Sequence, residues 1–238
     1  MEEHFFHIYP DQIEQDQFTL SEKESRHFCK SLRGNVGDNL WLLDGIGTAF
    51  EGVVLEINGG SVSGRIQNSI PNYGESKFSI HLAIGLIKGS RMDMVLEKVT
   101  EMGVHSIQPL FLDRCVKNKL NMDRANRIVI SAAKQAGRSL FPKIFEPINL
   151  SEWLKKHSNE HKILCHMFGN QSMADALGSE NKTVCLIIGP EGDFSESEMD
   201  KMKEANVEFA LLGPRRLRSE SAAMVAVSNL NQLMEVQR

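Results

Sequence analysis

Two short segments combine glycines with helix-starting hydroxyls in a way that suits ligand binding. The first is Ile188-Gly189-Pro190-Glu191-Gly192-Asp193-Phe194, running into Ser195 with Glu198 three residues on, a capping box that opens a helix. The second is Leu212-Gly213-Pro214-Arg215-Arg216-Leu217-Arg218-Ser219-Glu220-Ser221-Ala222. Glycine lets the main chain approach a bound molecule closely, and a helix start offers free N–H groups. Neither segment fits G-x-G-x-x-G or G-x-x-x-x-G-K-[ST], which argues against a standard dinucleotide fold and a P-loop nucleotide hydrolase. Each taken alone is an ordinary strand-to-helix turn.

Other candidate chemistry is weaker. His157-Ser158-Asn159-Glu160-His161 spells H-x-x-E-H, a metallopeptidase pattern. Its neighbours are Lys155, Lys156 and Lys162, with no apolar stripe to bury a zinc-bearing helix. His161, Cys165 and His166 carry metal-capable atoms, yet a strand turns 165 and 166 to opposite faces. No metal is expected. Cys29, Cys115, Cys165 and Cys185 lie far apart without C-x-x-C, so neither a disulfide framework nor a zinc ribbon is encoded. There is no Gly-x-Ser-x-Gly elbow, and Cys115 or Cys185 would need a placed histidine to be catalytic. Met92, Met94 and Met102 read as core or dimer packing.

The elements that must position the two loops alternate from Phe78 onward. Strands fit at 79–87, 106–110, 162–166, 183–188 and 208–212, and helices at 92–102, 123–137, 150–157, 195–205 and 220–235. That alternation calls for a parallel sheet covered on both faces. Both loops then fall at the carboxyl ends of strands, where open α/β sheets bind ligands. The first seventy residues instead read as β-rich, with strands at 5–9, 39–43, 48–57 and 61–67. Asp44-Gly45 and Asn58-Gly59-Gly60 supply the positive φ angles of tight turns. Ser21 with Glu24 opens one helix, predicted to run to about Leu32 and to close at Gly34. On it Arg26, Lys30 and Arg33 share a face. Periodicity lapses near 70–76, which sets the expected domains at 1–72 and 73–238.

The 238 residues, 41% hydrophobic and 24% charged, suit one or two globular domains. No apolar run approaches the ~18 residues of a membrane helix. The acidic opening Met1-Glu2-Glu3 lacks a signal-peptide layout, and a cytoplasmic location is expected. The net charge of −4 hides an asymmetry: −6 over 1–72, +5 over 73–150 and −3 over 151–238. Within 114–143 eight Lys or Arg face one acid, Asp123. The stretch reads either as a solvated basic face or as a phosphate-tracking surface, since backbone neutralisation depends on local charge.

Together, in this order, the two loops resemble the signature of the SPOUT methyltransferases. More narrowly they resemble the bacterial 16S ribosomal RNA uridine-N3 methyltransferases, whose pattern is G-P-E-G-G followed by L-G-x-R-x-L-R-T-E-T-A. Three further blocks carry the likeness: Arg26-His27-Phe28-Cys29-Lys30-Ser31-Leu32-Arg33; Lys88-Gly89-Ser90-Arg91-Met92-Asp93 with Glu97-Lys98 and Thr100-Glu101-Met102-Gly103-Val104; and Ala133-Lys134-Gln135-Ala136-Gly137-Arg138 with Pro142. Asp193 departs from the second glycine of the closing Gly-Gly pair of the first loop, and Ser219 and Ser221 stand for two threonines. Asp tolerates a left-handed conformation better than most residues, though less freely than Gly.

The resemblance implies an α/β fold with an RNA-binding PUA-like β-barrel over 1–72 and a SPOUT methyltransferase domain with a deep trefoil knot over 73–238. It implies S-adenosyl-L-methionine held by three loops, at His166, at Ile188, Gly189 and Gly192, and at Leu212, Gly213, Leu217, Ser221 and Ala222. Arg218 and Arg216 are the expected catalytic groups. Glu191 and Glu220 are available carboxylates, each readable as base, cap or ion-pair member. Arg26, Lys30, Arg33, Lys88, Arg91 and Arg138 are expected to grip RNA. A homodimer acting on N3 of uracil-1498 in 16S rRNA of the 30S subunit is the implied assembly and substrate. A non-catalytic RNA-binding or ribosome-assembly protein, and a SPOUT methyltransferase acting on tRNA, are the alternatives.

Overall fold

The computed structural model describes residues 4–178 and 181–236. It divides into two compact units, Met1–Glu75 with Ile130–Phe141, and Ser76–Val129 with Pro142–Arg238. In the first unit the chain forms β1 (Phe5–His7), β2 (Ile13–Glu14), β3 (Gln17–Thr19), α1 (Glu22–Arg26), β4 (Asn39–Leu43), β5 (Thr48–Asn58) and β6 (Ser61–Pro71). These strands make one sheet in the order β1-β4-β5-β6-β3-β2, antiparallel except for β1 beside β4. Phe6, Ile8, Phe18, Leu42, Val54 and Val62 alternate inward and form its core. Gly59 and Gly60, with φ of 57° and 88°, make the two-residue turn between β5 and β6, whose twist matches that of the flanking strands.

The helix of this unit departs from expectation. Ser21 caps α1, its Oγ accepting from the Glu24 amide at 3.3 Å. From His27 to Leu32 the coil then widens to a π-helical stretch. It ends at Arg33, which takes the left-handed conformation at φ 55°, one residue before the expected stop. Gly34 is needed for another reason, since a Cβ there would lie 2.1 Å from the Phe28 ring. The wider coil shifts the angular phase, so Arg26, Lys30 and Arg33 do not form a single α-helical stripe. All three remain exposed, and Arg26 pairs with Glu22.

Residues 130–141 also correct one site expectation. Arg138 is buried, with its guanidinium donating to Glu75 from Nη2 at 2.7 Å and from Nε at 3.1 Å. It cannot reach an RNA phosphate. Lys134 is likewise engaged, by Glu24 at 2.6 Å. Part of the basic stretch thus holds the first unit together.

The second unit contains β7 (Ser79–Gly85), α2 (Gly89–Glu101), β8 (Ser106–Phe111), α3 (Met122–Gln135, ending in the first unit), β9 (Lys143–Ile144) and β10 (Ile148–Asn149). There follow α4 (Leu150–Lys156), β11 (His161–Cys165), β12 (Gln171–Ser172), α5 (Met173–Leu177), β13 (Thr183–Ile188), α6 (Glu196–Glu204), β14 (Glu208–Leu211) and α7 (Ser219–Val236). All pairings are parallel, in the order β10-β8-β7-β13-β11-β14-β12, with β9 also on β8. The central strands are apolar on both faces because both faces are covered. Val184, Leu186 and Ile188 of β13 meet Val95 and Leu96 of α2 and Ala223 and Val227 of α7 in one cluster. Cys185 and Ile187 turn to the other face, with Trp153 of α4 and Met202 of α6. The chain leaves β7 toward β8 and β10, then returns to β11 on the far side of β13. That reversal leaves a crevice at the carboxyl end of β13. Among the described residues no helix is long and apolar enough to cross a membrane.

Candidate active site

At that crevice the carboxyl ends of β11, β13 and β14 surround a cavity of about 400 Å³, a size typical of small-molecule sites. Its wall includes His166 after β11, Ile188 at the end of β13 and Gly189 after it, and Leu212, Gly213, Arg216, Leu217 and Arg218 after β14, with Ala222 from α7. Those nine sequence-predicted residues are brought together. Gly192 and Ser221 are not in the wall. Gly192 instead makes room for the main chain of Arg114, whose carbonyl oxygen a Cβ would approach to 2.8 Å. Met167, Asp193, Phe194 and Arg215 line the cavity without having been expected there; each adjoins or falls within a motif, which was the available signal.

The loops are held close by their glycines. A Cβ on Gly189 would stand 2.7 Å from the Phe194 ring, and Gly213 sits at φ 136°, a conformation open in practice to glycine. The loop after β13 is closed by Ser195, whose Oγ accepts from Glu198 N while Glu198 caps back onto Ser195 N at 2.8 Å.

Asp193 takes the left-handed conformation at φ 66°, as its place in a glycine position requires. Its Oδ1 accepts from the Phe194 amide and from His166 Nε2, both at 2.9 Å. The Phe168 amide donates to His166 Nδ1 at 3.2 Å, so Nδ1 carries no proton and Nε2–H is the donor. The carboxylate therefore ties two of the three loops. Replacing Asp193 tests the backbone and the side chain separately. Asp193→Gly keeps the left-handed turn and loses only the clip, whereas Asp193→Ala also carries the strain of that conformation, about 1 kcal/mol. Denaturant unfolding is expected to rank wild type above Asp193→Gly above Asp193→Ala.

Charge in the cavity is arranged around Arg91, which α2 carries into the wall rather than leaving among surface cations. Its Nη1 lies 3.4 Å from Glu191 Oε1 and its Nε 3.7 Å from Glu220 Oε1. Glu191 Oε1 also accepts from the Lys88 amide at 3.3 Å. The second oxygen of each glutamate is buried with no donor among the described residues, which leaves both open to a donor from outside the chain. Arg216 and Arg218 are exposed to the cavity mouth and have no acidic partner among the described residues. Cys165, also in the wall, has its thiol pushed up to about 12 by burial, and burial raises Cys115 too. Neither is a thiolate nucleophile. The site is built to position and to balance charge.

A family model described as the RNA methyltransferase domain matches residues 74–231, and one described as the RNA methyltransferase PUA domain matches residues 20–67. The ribosomal RNA small subunit methyltransferase E of Buchnera aphidicola (subsp. Acyrthosiphon pisum) is 31% identical over 94% of this chain and 91% of its own length. The protein of the same name from Bacillus subtilis is 25% identical over 100% of this chain and 99% of its own. The crystal structure of ribosomal RNA small subunit methyltransferase E from Neisseria gonorrhoeae, bound to S-adenosyl methionine, superposes with a TM-score of 0.89 at 28% identity, covering 98% of each chain. With a glycine-lined cavity at the strand ends and both family domains matched in order, the chain belongs to the RNA methyltransferase family.

Proposed function

We propose that this protein transfers the methyl group of S-adenosylmethionine to N3 of a single uridine, uracil-1498, in 16S rRNA of the small ribosomal subunit. The observation that carries the reading is the cavity itself, a glycine-lined space of about 400 Å³ whose wall includes Arg216 and Arg218, two exposed arginines with no acidic partner among the described residues. The Neisseria protein, alike over nearly its whole length, binds S-adenosyl methionine. Ribosomal RNA as substrate follows the names of the relatives. N3 and the particular uridine follow the motif resemblance.

The donor, when bound, supplies a methyl group already activated on a sulfonium, so the chain's work is placement. Main-chain groups of Ile188, Gly189, Leu212, Gly213 and Leu217 cradle the donor, with His166 and Ala222 closing its sides. Gly192 and Ser221 shape the loops from behind. N3 of uracil lies on its Watson–Crick edge, so the base must be unpaired or extruded to enter. Arg218, assisted by Arg216, orients it and stabilises charge on the imide as N3 loses its proton. Arg26, Lys30, Arg33 and Lys88, all exposed, hold the phosphates, with Arg91 at the cavity. We assign residues 1–72 to RNA binding and 73–238 to methyl transfer, with the latter knotted as in the SPOUT family. Phe168, 81% exposed beside the cavity loops, fits an interface in a homodimer, and a cytoplasmic location follows from the substrate.

Calorimetric titration with the donor, followed by mapping of the methylated nucleotide in 30S subunits, tests the reading. Arg218→Ala is expected to leave donor affinity within about threefold and to slow transfer by on the order of 10², as removal of one charge-stabilising donor does. A folded protein that binds no donor would sink the enzyme reading and leave an RNA-binding module. Methylation at another atom would sink the N3 assignment alone.

A further inference from the structure

At the amino-terminal ends of the parallel strands, away from the cavity, three side chains of different donor type converge. His157 follows α4, Glu160 sits in the turn after it, and Cys185 lies on β13. His157 Nδ1 is 2.9 Å from Glu160 Oε2, and the Cys185 thiol donates to the same oxygen at 2.7 Å. All three donor atoms lie within 4.8 Å of one another. The His-x-x-Glu-His spelling is thus used in an unexpected way. His161 turns aside to the carbonyl of Ala176 at 2.7 Å, and a cysteine from the neighbouring strand takes its place. Periodicity along one segment could not reveal a partner 25 residues away.

We propose that His157, Glu160 and Cys185 form a binding site for a zinc-class divalent cation, with water as the fourth ligand. One nitrogen, one carboxylate oxygen and one sulfur make a borderline-soft set, suited to zinc rather than to calcium or magnesium, which take oxygen ligands. Tetrahedral zinc, with bonds of about 2.0–2.3 Å, spaces its ligand atoms about 3.3–3.7 Å apart. The triad reaches that spacing when the Glu160 carboxylate draws back by under about 1 Å and the His157 ring, now within 4.8 Å of the Cys185 sulfur, closes on it by about 1 Å, movements that the 29% and 39% exposed side chains of His157 and Glu160 allow. The main chain of the turn is already fixed. The buried Lys162 ammonium donates to the carbonyls of His157, Ser158 and Glu160 at 2.9, 3.4 and 2.7 Å, which pins the turn, and the His157 ring stacks on Trp153 with centroids 4.9 Å apart. Such outer contacts orient ligands before the metal arrives. On loading, the Cys185 proton passes to solvent and a sulfur–metal bond replaces the S–H bond, while the imidazole proton that Nδ1 directs at Glu160 is exchanged through solvent onto Nε2, which frees the Nδ1 lone pair for the metal. The resulting thiolate and carboxylate balance the cation's charge. The metal would bind the α4–β11 turn to β13.

The test uses the full chain, freed of metal by chelation and titrated with cobalt(II), which reports a tetrahedral site by strong visible bands and a thiolate ligand by near-ultraviolet charge transfer. One equivalent is expected to develop both signals with a dissociation constant of about 1 μM or tighter, and zinc should abolish them. Cys185→Ser is expected to remove the charge-transfer band, and His157→Ala and Glu160→Gln to weaken binding at least tenfold. Glu160→Gln, at an exposed position, keeps the test informative if the buried Cys185→Ser chain does not fold. Donor titration of each variant checks that the cavity at the other strand ends is intact. No cobalt signal from wild type at tenfold excess, or an unchanged charge-transfer band in Cys185→Ser, would overturn the site whether or not the methyltransferase reading holds.

Discussion

Gly189→Val is expected to remove donor binding from a calorimetric titration, with the dissociation constant rising at least about 10²-fold, some 2.7 kcal/mol. The position follows the last residue of β13, on the cavity wall, with the Phe194 ring of the same wall packed against it. A single added Cβ already stands 2.7 Å from that ring. The two further methyl groups of valine must either displace Phe194, at a typical overpacking cost of about 1–3 kcal/mol, or enter the space the donor needs. Both routes disturb the same loop, because Phe194 adjoins Asp193 and Asp193 anchors His166. Gly192→Ala is the control. Its Cβ would press on the carbonyl of Arg114 at 2.8 Å, outside the cavity wall, so it should lower thermal stability while altering donor affinity far less. Equal losses of affinity from the two changes would show that general loop distortion, rather than occupancy of the cavity, is responsible.

How much of this was readable beforehand follows from what each residue's neighbours can announce. β7, β8, β11, β13 and β14 are apolar runs with loops between them, and their positions lie within a residue or two of expectation. β9, β10 and β12 have two residues each, too few for any period to register. The β2–β3 hairpin turns through Gln15 at φ 55°, with no glycine to mark it. The π-helical widening at His27–Leu32 leaves no trace in spacing read at 3.6 residues per turn. At the site, the residues brought to the cavity are those whose motif lies on the loops that line it. Arg91 was visible as a cation, but only the placement of α2 between Glu191 and Glu220 shows which way it faces. Asp193 was visible as a departure from the family pattern, and the left-handed backbone explains what the position demands. Its bond to His166 joins residues 27 apart, beyond the reach of local pattern.

Arg138 was misread for the same reason, and it carries the largest expected change in stability. Arg138→Ala should lower the unfolding free energy by about 3–5 kcal/mol, the usual result of leaving one member of a buried pair uncompensated. Glu75 is 4% exposed, and Oε1 and Oε2 receive the guanidinium at 3.1 and 2.7 Å while Oε1 also accepts the Leu140 amide at 3.1 Å. With the arginine gone, the carboxylate keeps one amide donor and no countercharge. It must then stay buried as an anion, take up a proton, or drag water inward, and each is costly. The pair also joins residues 63 apart, bringing the end of the helical segment after Ile130 back to the close of β6. Replacing both partners together, as Glu75→Leu with Arg138→Met, removes the buried charges and is expected to recover most of the lost stability, since an apolar pair of similar volume commonly matches a buried ion pair. Denaturant midpoints of the two single variants and the double variant measure this as a cycle. RNA affinity of the double variant should equal that of wild type. A loss of affinity without a loss of stability in Arg138→Ala would instead place this arginine on the RNA and reverse the assignment made from its burial.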